Sequence, residues 1–158
     1  MSVKKAETLG ELKKQFSSLP DVRTEMRTNL IKKLQNREPL FPGIIGYNDS
    51  VIPSVVNAIL CGHNIVFLGE RGQGKSRLIR SIADLLDDEI PAIENCPIHD
   101  DPFKPICTEC KKKLKELGDD LPVTYIPKEI RLVEKLATSD VSTADLIGEV
   151  DPIKIARG

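Results

Sequence analysis

The sequence predicts an α/β fold in which a strand, a glycine-rich loop and a helix follow one another directly. Residues 65–68, Ile-Val-Phe-Leu, are apolar and rich in β-branched side chains, which is typical of a buried parallel strand. Residues 69–76 read Gly-Glu-Arg-Gly-Gln-Gly-Lys-Ser and match the phosphate-loop pattern G-x-x-x-x-G-K-[ST]. Apolar residues at helical spacing then predict a helix to about Asp87: Leu78, Ile79, Ile82, Leu85 and Leu86.

The residue types of this loop suit the phosphates of a nucleotide. Gly69, Gly72 and Gly74 allow backbone angles at which successive amides point at phosphate oxygens, and the helix N-terminus also favours an anion. Lys75 would place a positive charge on the terminal phosphates and is the predicted catalytic residue. Ser76 would offer its hydroxyl to Mg²⁺. The alternative is an ordinary glycine-rich turn that happens to end in Lys-Ser.

Composition limits the class of protein. The chain has 158 residues, enough for one domain with a core, and its 23 basic and 24 acidic residues nearly balance. Neither a nucleic acid nor a membrane is therefore an expected partner. The first residues do not resemble a signal peptide, and no apolar stretch is long enough to span a bilayer. We expect a cytoplasmic protein whose four cysteines stay reduced.

Three helices are predicted before the loop. In an N-terminal helical segment, residues 1–38, Thr8 and Glu11 have capping-box spacing ahead of an apolar face of Leu9, Leu12 and Phe16. A second helix over about residues 21–35 has the apolar stripe Met26, Leu30, Ile31 and Leu34. A strongly buried third helix follows the break at residues 39–43 and closes near Gly62. Cys61, at its end, is expected to be a small buried side chain.

Residues 90–122 are predicted to be an insertion with little regular structure. They hold five of the eleven prolines and three of the four cysteines. One helix is expected around residues 111–117 and a strand at residues 123–126, whereas residues 128–158 carry no clear pattern.

The cysteine spacing in this insertion predicts a metal site. Cys96 and His99 form one pair of ligands with two residues between them, Cys107 and Cys110 form another, and seven residues separate the pairs. Three thiolates and one imidazole complete a closed tetrahedral set typical of structural Zn²⁺. The alternatives are unrelated reduced cysteines, an Fe–S cluster, or a redox-active pair of Cys107 and Cys110.

The order of these segments resembles the AAA+ ATPases, and most closely the group of the magnesium-chelatase ATPase subunit and MoxR-type proteins. The resemblance covers roughly residues 22–158 and rests on "LFPGIIGY" at residues 40–47, the phosphate loop, and "EKLATSDVSTADLIGEVDPIK" at residues 134–154. It implies an incomplete P-loop NTPase three-layer sandwich of AAA+ type, occupying residues 39–158. In that fold, residues 43–46 border the adenine and residues 134–154 insert a hairpin near helix two.

The resemblance and the loop motif together predict the contacts with Mg-ATP. The residues concerned are Ile44, Ile45, Gly69, Glu70, Arg71, Gly72, Gln73, Gly74, Lys75, Ser76 and Arg77. The side chains of Glu70 and Arg71 are expected to face solvent or a neighbouring subunit.

The chain departs from the family pattern in one respect. The Walker B strand, sensor, arginine finger and helical lid of AAA+ enzymes are expected beyond residue 158. Residues 85–89, Leu-Leu-Asp-Asp-Glu, imitate Walker B, but they directly follow the phosphate-loop helix and so are expected to lie far from the Mg²⁺. We therefore expect ATP binding with little or no hydrolysis by the chain alone.

Two functions follow from these observations. The first is the ATP-binding part of a ring-forming ATPase that remodels a partner protein, such as one with a von Willebrand-type domain, with a chelatase role possible for the parent. The second is a zinc-stabilised interaction module with a vestigial phosphate loop.

Overall fold

Seven helices and one pair of strands make up the described part of the chain, residues 5–136 and 138–149 of a computed structural model. The helices are α1 (Leu9–Gln15), α2 (Val22–Gln35), α3 (Val51–Leu60), α4 (Lys75–Ile82), α5 (Thr108–Leu117), α6 (Lys128–Arg131) and α7 (Thr143–Ile147). The strands are β1 (Glu89–Ile93) and β2 (Val123–Pro127), which pair antiparallel. No helix in these residues is both long enough and apolar enough to cross a membrane.

The first two helices begin where side chains can cap them. The Thr8 side chain accepts a hydrogen bond from the amide of Glu11, and Asp21 accepts one from the amide of Thr24 at 2.7 Å. Such caps satisfy amides that the first helical turn leaves without partners. Both predicted helices are confirmed.

One apolar cluster, which we call the loop core, supports the phosphate loop. Its buried members come from α2, α3 and α4 and from the turns beside them: Leu30, Phe41, Val55, Ile59, Leu78 and Leu85. Because α4 contributes Leu78, the helix that begins at the loop is anchored by apolar burial.

A second apolar cluster, which we call the cysteine core, joins α1, β1 and α5. Its buried members are Leu9, Ile93, Cys96, Cys110 and Leu121. The N-terminal segment is bonded to this region because the amide of Leu9 donates to the carbonyl of Leu121 at 2.9 Å. The helices α1 and α2, neighbours in sequence, therefore pack on different cores.

A buried ion pair joins α2 to α6. Glu25 on α2 is 3% exposed, and both of its carboxylate oxygens accept hydrogen bonds from the guanidinium of Arg131, at 2.7 and 2.5 Å. The same carboxylate accepts the amide of Asp87 at 2.7 Å. Such a pair is stable in a dry environment only when the hydrogen bonds are complete.

The strand predicted at residues 65–68 is wrong in the described structure. Ile65 and Phe67 lie half-buried against the loop core, whereas Val66 and Leu68 are 79% and 89% exposed. The alternation suits a strand, but no described segment pairs with it, and a strand exists only with a hydrogen-bonded neighbour. The described residues thus form an α/β structure without the parallel sheet of the predicted three-layer sandwich.

The cysteine-rich insertion contains more regular structure than predicted. The helix and the strand expected inside and after it are confirmed as α5 and β2, but β1 was not foreseen. Pro91 lies in β1, which is possible because both strands of a two-stranded sheet are edges.

Two further expectations meet the structure differently. Cys61 is exposed at the C-terminal end of α3, not buried, because the apolar face of that helix ends at Ile59 and Leu60. In the stretch predicted to form a hairpin, residues 134–136 and 138–149 contain α7 and no strand, and residues 150–154 lie outside the described residues.

Candidate functional site

The phosphate loop leads directly into α4, as predicted. Gly74 has φ 71°, in the left-handed region, and Lys75 is the first residue of the helix. A side chain at Gly74 would be strained at that angle, so glycine permits the turn that points the loop into the helix N-terminus. The amides at this N-terminus remain available to an anion.

Gly69 and Lys75 also determine the shape of the loop. Gly69 has φ 153°, an angle at which a residue with a side chain would be strained, so this position favours glycine. The Lys75 ammonium reaches back to donate to the carbonyls of Gly69 at 2.8 Å and Glu70 at 2.5 Å. Lys75 therefore lies over the loop, where the phosphates of a nucleotide would replace these carbonyls as its partners.

Tyr47, which directly follows the segment predicted to border an adenine, contacts the loop through its side chain. The Tyr47 hydroxyl donates to the carbonyl of Gln73 at 3.1 Å. Between them lies a cavity of about 70 Å³, lined by Ile44, Tyr47, Val51, Phe67, Leu68, Gln73, Gly74, Lys75 and Leu78. Tyr47 is the last residue of "LFPGIIGY", and the sequence alone predicted no role for it. Its position before a buried helix and its polar tip were the available signal.

The remaining predicted nucleotide contacts spread around this cavity. Ile45 is 88% exposed and does not line it, and the Arg77 side chain lies against Gly43. The other loop residues are exposed on the surface: Glu70, Arg71, Gly72 and Ser76. The structure therefore brings Ile44, Gln73, Gly74 and Lys75 together and leaves the others at the rim.

A larger groove, of about 750 Å³, lies on the other side of the loop. Apolar side chains of α2, of residues 65–67 and of α4 line part of it, and its polar lining consists of Lys75, Ser76, Arg23, His63, Asn64 and Arg131. The groove thus runs along the unpaired segment at residues 65–68.

The acids that imitate Walker B have other partners. Asp87 accepts a hydrogen bond from Asn29, Asp88 pairs with Lys128 at 2.7 Å, and Glu89 pairs with Lys5 at 2.6 Å. These contacts hold β1 and the residues before it against α2, α6 and the N-terminal segment.

The cysteines converge as predicted, but with a different fourth residue. Ligand atoms of Cys96, Asp100, Cys107 and Cys110 lie within 4.8 Å of one another. His99, predicted as a ligand, is outside this group and exposed. The reason is the turn: the His99 amide donates to the carbonyl of Cys96 at 3.0 Å with His99 at φ 51°, and the chain then turns inward at Asp100.

Hydrogen bonds shape the sulfur environment. Burial alone raises the pKa of the Cys96 thiol, but hydrogen bonds from the amide of Asp100, the thiol of Cys110 and the amide of Ile98 hold that pKa below its usual value. Burial, together with the neighbouring thiols, raises the pKa of Cys110 to about 12. All four cysteines are free thiols, so the cluster is not a disulfide.

The chain is similar in sequence to magnesium-chelatase subunits, in agreement with the predicted resemblance. The chain is 34% identical over 110 residues to the chloroplastic magnesium-chelatase subunit ChlI of Chlamydomonas reinhardtii, which covers 65% of this chain and 25% of that protein. It is 31% identical over 128 residues to the chloroplastic magnesium-chelatase subunit ChlI-2 of Arabidopsis thaliana, covering 74% and 29%. A ChlI homolog of Methanocaldococcus jannaschii is 37% identical over 78 residues, covering 48% and 20%.

These matches are partial. The chain spans about a quarter of the length of the curated relatives it matches. No protein-family model matches it, and no solved structure does. Together with a loop, a helix start and a preceding buried helix in the expected order, the matches confirm the predicted resemblance to the AAA+ group that contains the magnesium-chelatase ATPase subunit.

Proposed function

We propose that residues 39–158 form the Mg-ATP-binding part of an AAA+ ring ATPase of the magnesium-chelatase type. The observation that carries the proposal is the geometry of Lys75. Its ammonium donates to the carbonyls of Gly69 and Glu70 at the start of the loop, and α4 begins at Lys75 itself. Backbone amides, an ammonium and a hydroxyl are a donor set that fits a polyphosphate with its hard cation.

In this proposal each group of the chain has one task. The amides of residues 72–76 bind phosphate oxygens, Lys75 exchanges two carbonyls for the terminal phosphates, and Ser76 is the Mg²⁺ ligand. Ile44, which lines the small cavity, and the exposed Ile45 next to it in sequence border the adenine, and Glu70, Arg71 and Arg77 act at the rim. Bound Mg-ATP would supply the phosphoryl group whose transfer to water releases energy.

The activity of the whole protein is also a proposal. The relatives are named as subunits of magnesium chelatase, and we propose for the parent of this chain a homo-oligomeric ring in the cytoplasm that remodels a partner carrying a von Willebrand-type domain. We further propose that additional strands of an AAA+ sheet pair with residues 65–68 and cover the 750 Å³ groove. Since those strands are expected to carry Walker B, this chain alone should turn over ATP barely or not at all.

Calorimetric titration of Mg-ATP into the full chain tests the proposed site. Lys75→Ala should weaken binding about 10- to 150-fold, because a charge-assisted hydrogen bond contributes about 1.5–3 kcal/mol. Lys104→Ala removes an equal charge from the exposed surface of the cysteine region and should leave the affinity unchanged. Equal affinities for Lys75→Ala and the wild type would contradict the assignment of the loop.

A second function is favoured by the convergence of three thiols. We propose that Cys96, Cys107 and Cys110 hold a structural Zn²⁺ that stabilises residues 90–122. If Mg-ATP did not bind while zinc did, the chain would be the zinc-stabilised interaction module with a vestigial loop. Metal analysis of protein purified without chelator should find one equivalent of zinc, and less than half an equivalent would contradict the metal site.

A further inference from the structure

We propose that Asp100, not His99, supplies the fourth ligand of the metal site, which makes the site a set of three thiolates and one carboxylate. The inference rests on the structural zinc proposed above and concerns only the identity of the fourth ligand. The sequence spacing favoured an imidazole, and the fold favours a carboxylate.

The first argument is position. A carboxylate oxygen of Asp100 lies within 4.8 Å of each of the three sulfurs, whereas His99 is exposed. A single ion with Zn–S distances of about 2.3 Å and a Zn–O distance of about 2.0–2.2 Å fits between atoms so spaced. Cys96 with Asp100, and Cys107 with Cys110, thus direct their ligand atoms at one point.

The second argument is charge. Asp100 is 5% exposed, and the ion pairs found in the described residues all involve other carboxylates. A buried carboxylate without a positive partner is costly, and the groups that share this cluster with Asp100 are three thiols, which offer no positive charge. A divalent cation at the centre of the cluster supplies the missing countercharge.

The third argument is support from the backbone. The Asp100 carboxylate accepts hydrogen bonds from the amides of Ile106 at 2.8 Å and Cys107 at 2.7 Å. It therefore joins the turn that carries Cys96 to the segment that carries Cys107. Metal-binding carboxylates are commonly held by such hydrogen bonds. The amides of Ile98 and Asp100 donate to the Cys96 sulfur in the same manner, and these donors offset the negative charge of the ligand set.

The ligand chemistry also selects the class of metal. Three soft thiolates favour Zn²⁺ over Mg²⁺ or Ca²⁺, which prefer oxygen ligands. Four protein ligands leave no open position for water, so the ion is structural.

Zinc K-edge X-ray absorption on the full chain tests the proposal by counting ligands. The wild type should show three sulfurs and one oxygen, without the outer-shell scattering of an imidazole. Asp100→Cys should raise the count to four sulfurs, and the matched variant His99→Cys should keep it at three. An imidazole signature in the wild type, or a count of three sulfurs in Asp100→Cys, would overturn the proposal.

Two milder variants give a second reading from affinity. His99→Ala should bind zinc as the wild type does, and Asp100→Asn should bind it more weakly, by more than the loss of about 10- to 100-fold that follows removal of a residue that only supports a ligand. The reverse order of these two affinities would overturn the assignment. Wild-type protein without bound zinc would instead defeat the metal site itself, which is a separate result.

Discussion

The phosphate loop and the cysteine cluster are both candidate ligand sites, yet they are built in opposite ways. The loop is exposed and consists of eight consecutive residues, and its lysine is satisfied by the carbonyls of Gly69 and Glu70. The cysteine cluster is largely buried and draws its groups from two segments that Asp100 joins. A site made of contiguous backbone is fixed by local sequence, whereas a site made of converging side chains depends on how the chain turns.

Removal of a metal ligand should have the largest effect, a loss of bound zinc, and this effect should be confined to the cysteine region. In Cys110→Ser we expect bound zinc to fall from one equivalent to less than about a tenth, because structural zinc binds with about 10–16 kcal/mol of apparent free energy. Metal analysis and thermal unfolding followed by circular dichroism measure the loss. Cys61→Ser, an exposed cysteine outside the cluster, is the control and should keep its zinc. Retention of zinc by Cys110→Ser would show that the cluster is not a metal site.

Loss of the buried ion pair between α2 and α6 should have the next largest effect. Arg131→Ala should lower the free energy of unfolding by about 3–5 kcal/mol, because it leaves the Glu25 carboxylate buried without its partner. Arg80→Ala is the matched control, since Arg80 makes an equally two-pronged pair with Glu134 at the surface. That exposed pair should contribute far less to stability, because solvent screens its charges. Urea denaturation compares the variants, and equal losses would mean that burial of Glu25 does not matter.

The same contrast explains what the sequence predicts well. The loop at residues 69–76 and the start of α4 were predictable, because the glycines and Lys75 restrict the local backbone by themselves. The cysteine spacing likewise predicted that three thiols converge. Both predictions concern groups that a short stretch of chain brings together.

Other features depend on the chain elsewhere, and the sequence predicted them poorly. Whether His99 or Asp100 faces the sulfurs is decided by a single turn with His99 at φ 51°. Residues 65–68 have the composition of a strand, but pairing requires a neighbour that no other described residue provides. The strand β1 was hidden by Pro91 and by its place beside the cysteines.

The smallest expected effect is a loss of Mg-ATP affinity that a substitution near the loop causes and a matched substitution near the cysteine core does not. Tyr47→Phe removes the hydrogen bond to the Gln73 carbonyl, and we expect Mg-ATP affinity to fall about 2- to 10-fold, which corresponds to about 0.5–1.5 kcal/mol. Calorimetric titration measures the change. Tyr125→Phe removes a comparable hydroxyl, which accepts the amide of Ala6 near the cysteine core, and should not alter nucleotide affinity. An unchanged affinity in Tyr47→Phe would exclude Tyr47 from the support of the loop.

Hydrogen–deuterium exchange of the zinc-loaded chain, with and without Mg-ATP, tests the central claim most directly. If the loop is the nucleotide site, protection should appear at residues 69–77 and 44–47, and residues 93–110 should exchange as before. Protection confined to residues 93–110, or no change at residues 69–77 with saturating Mg-ATP, would contradict the account.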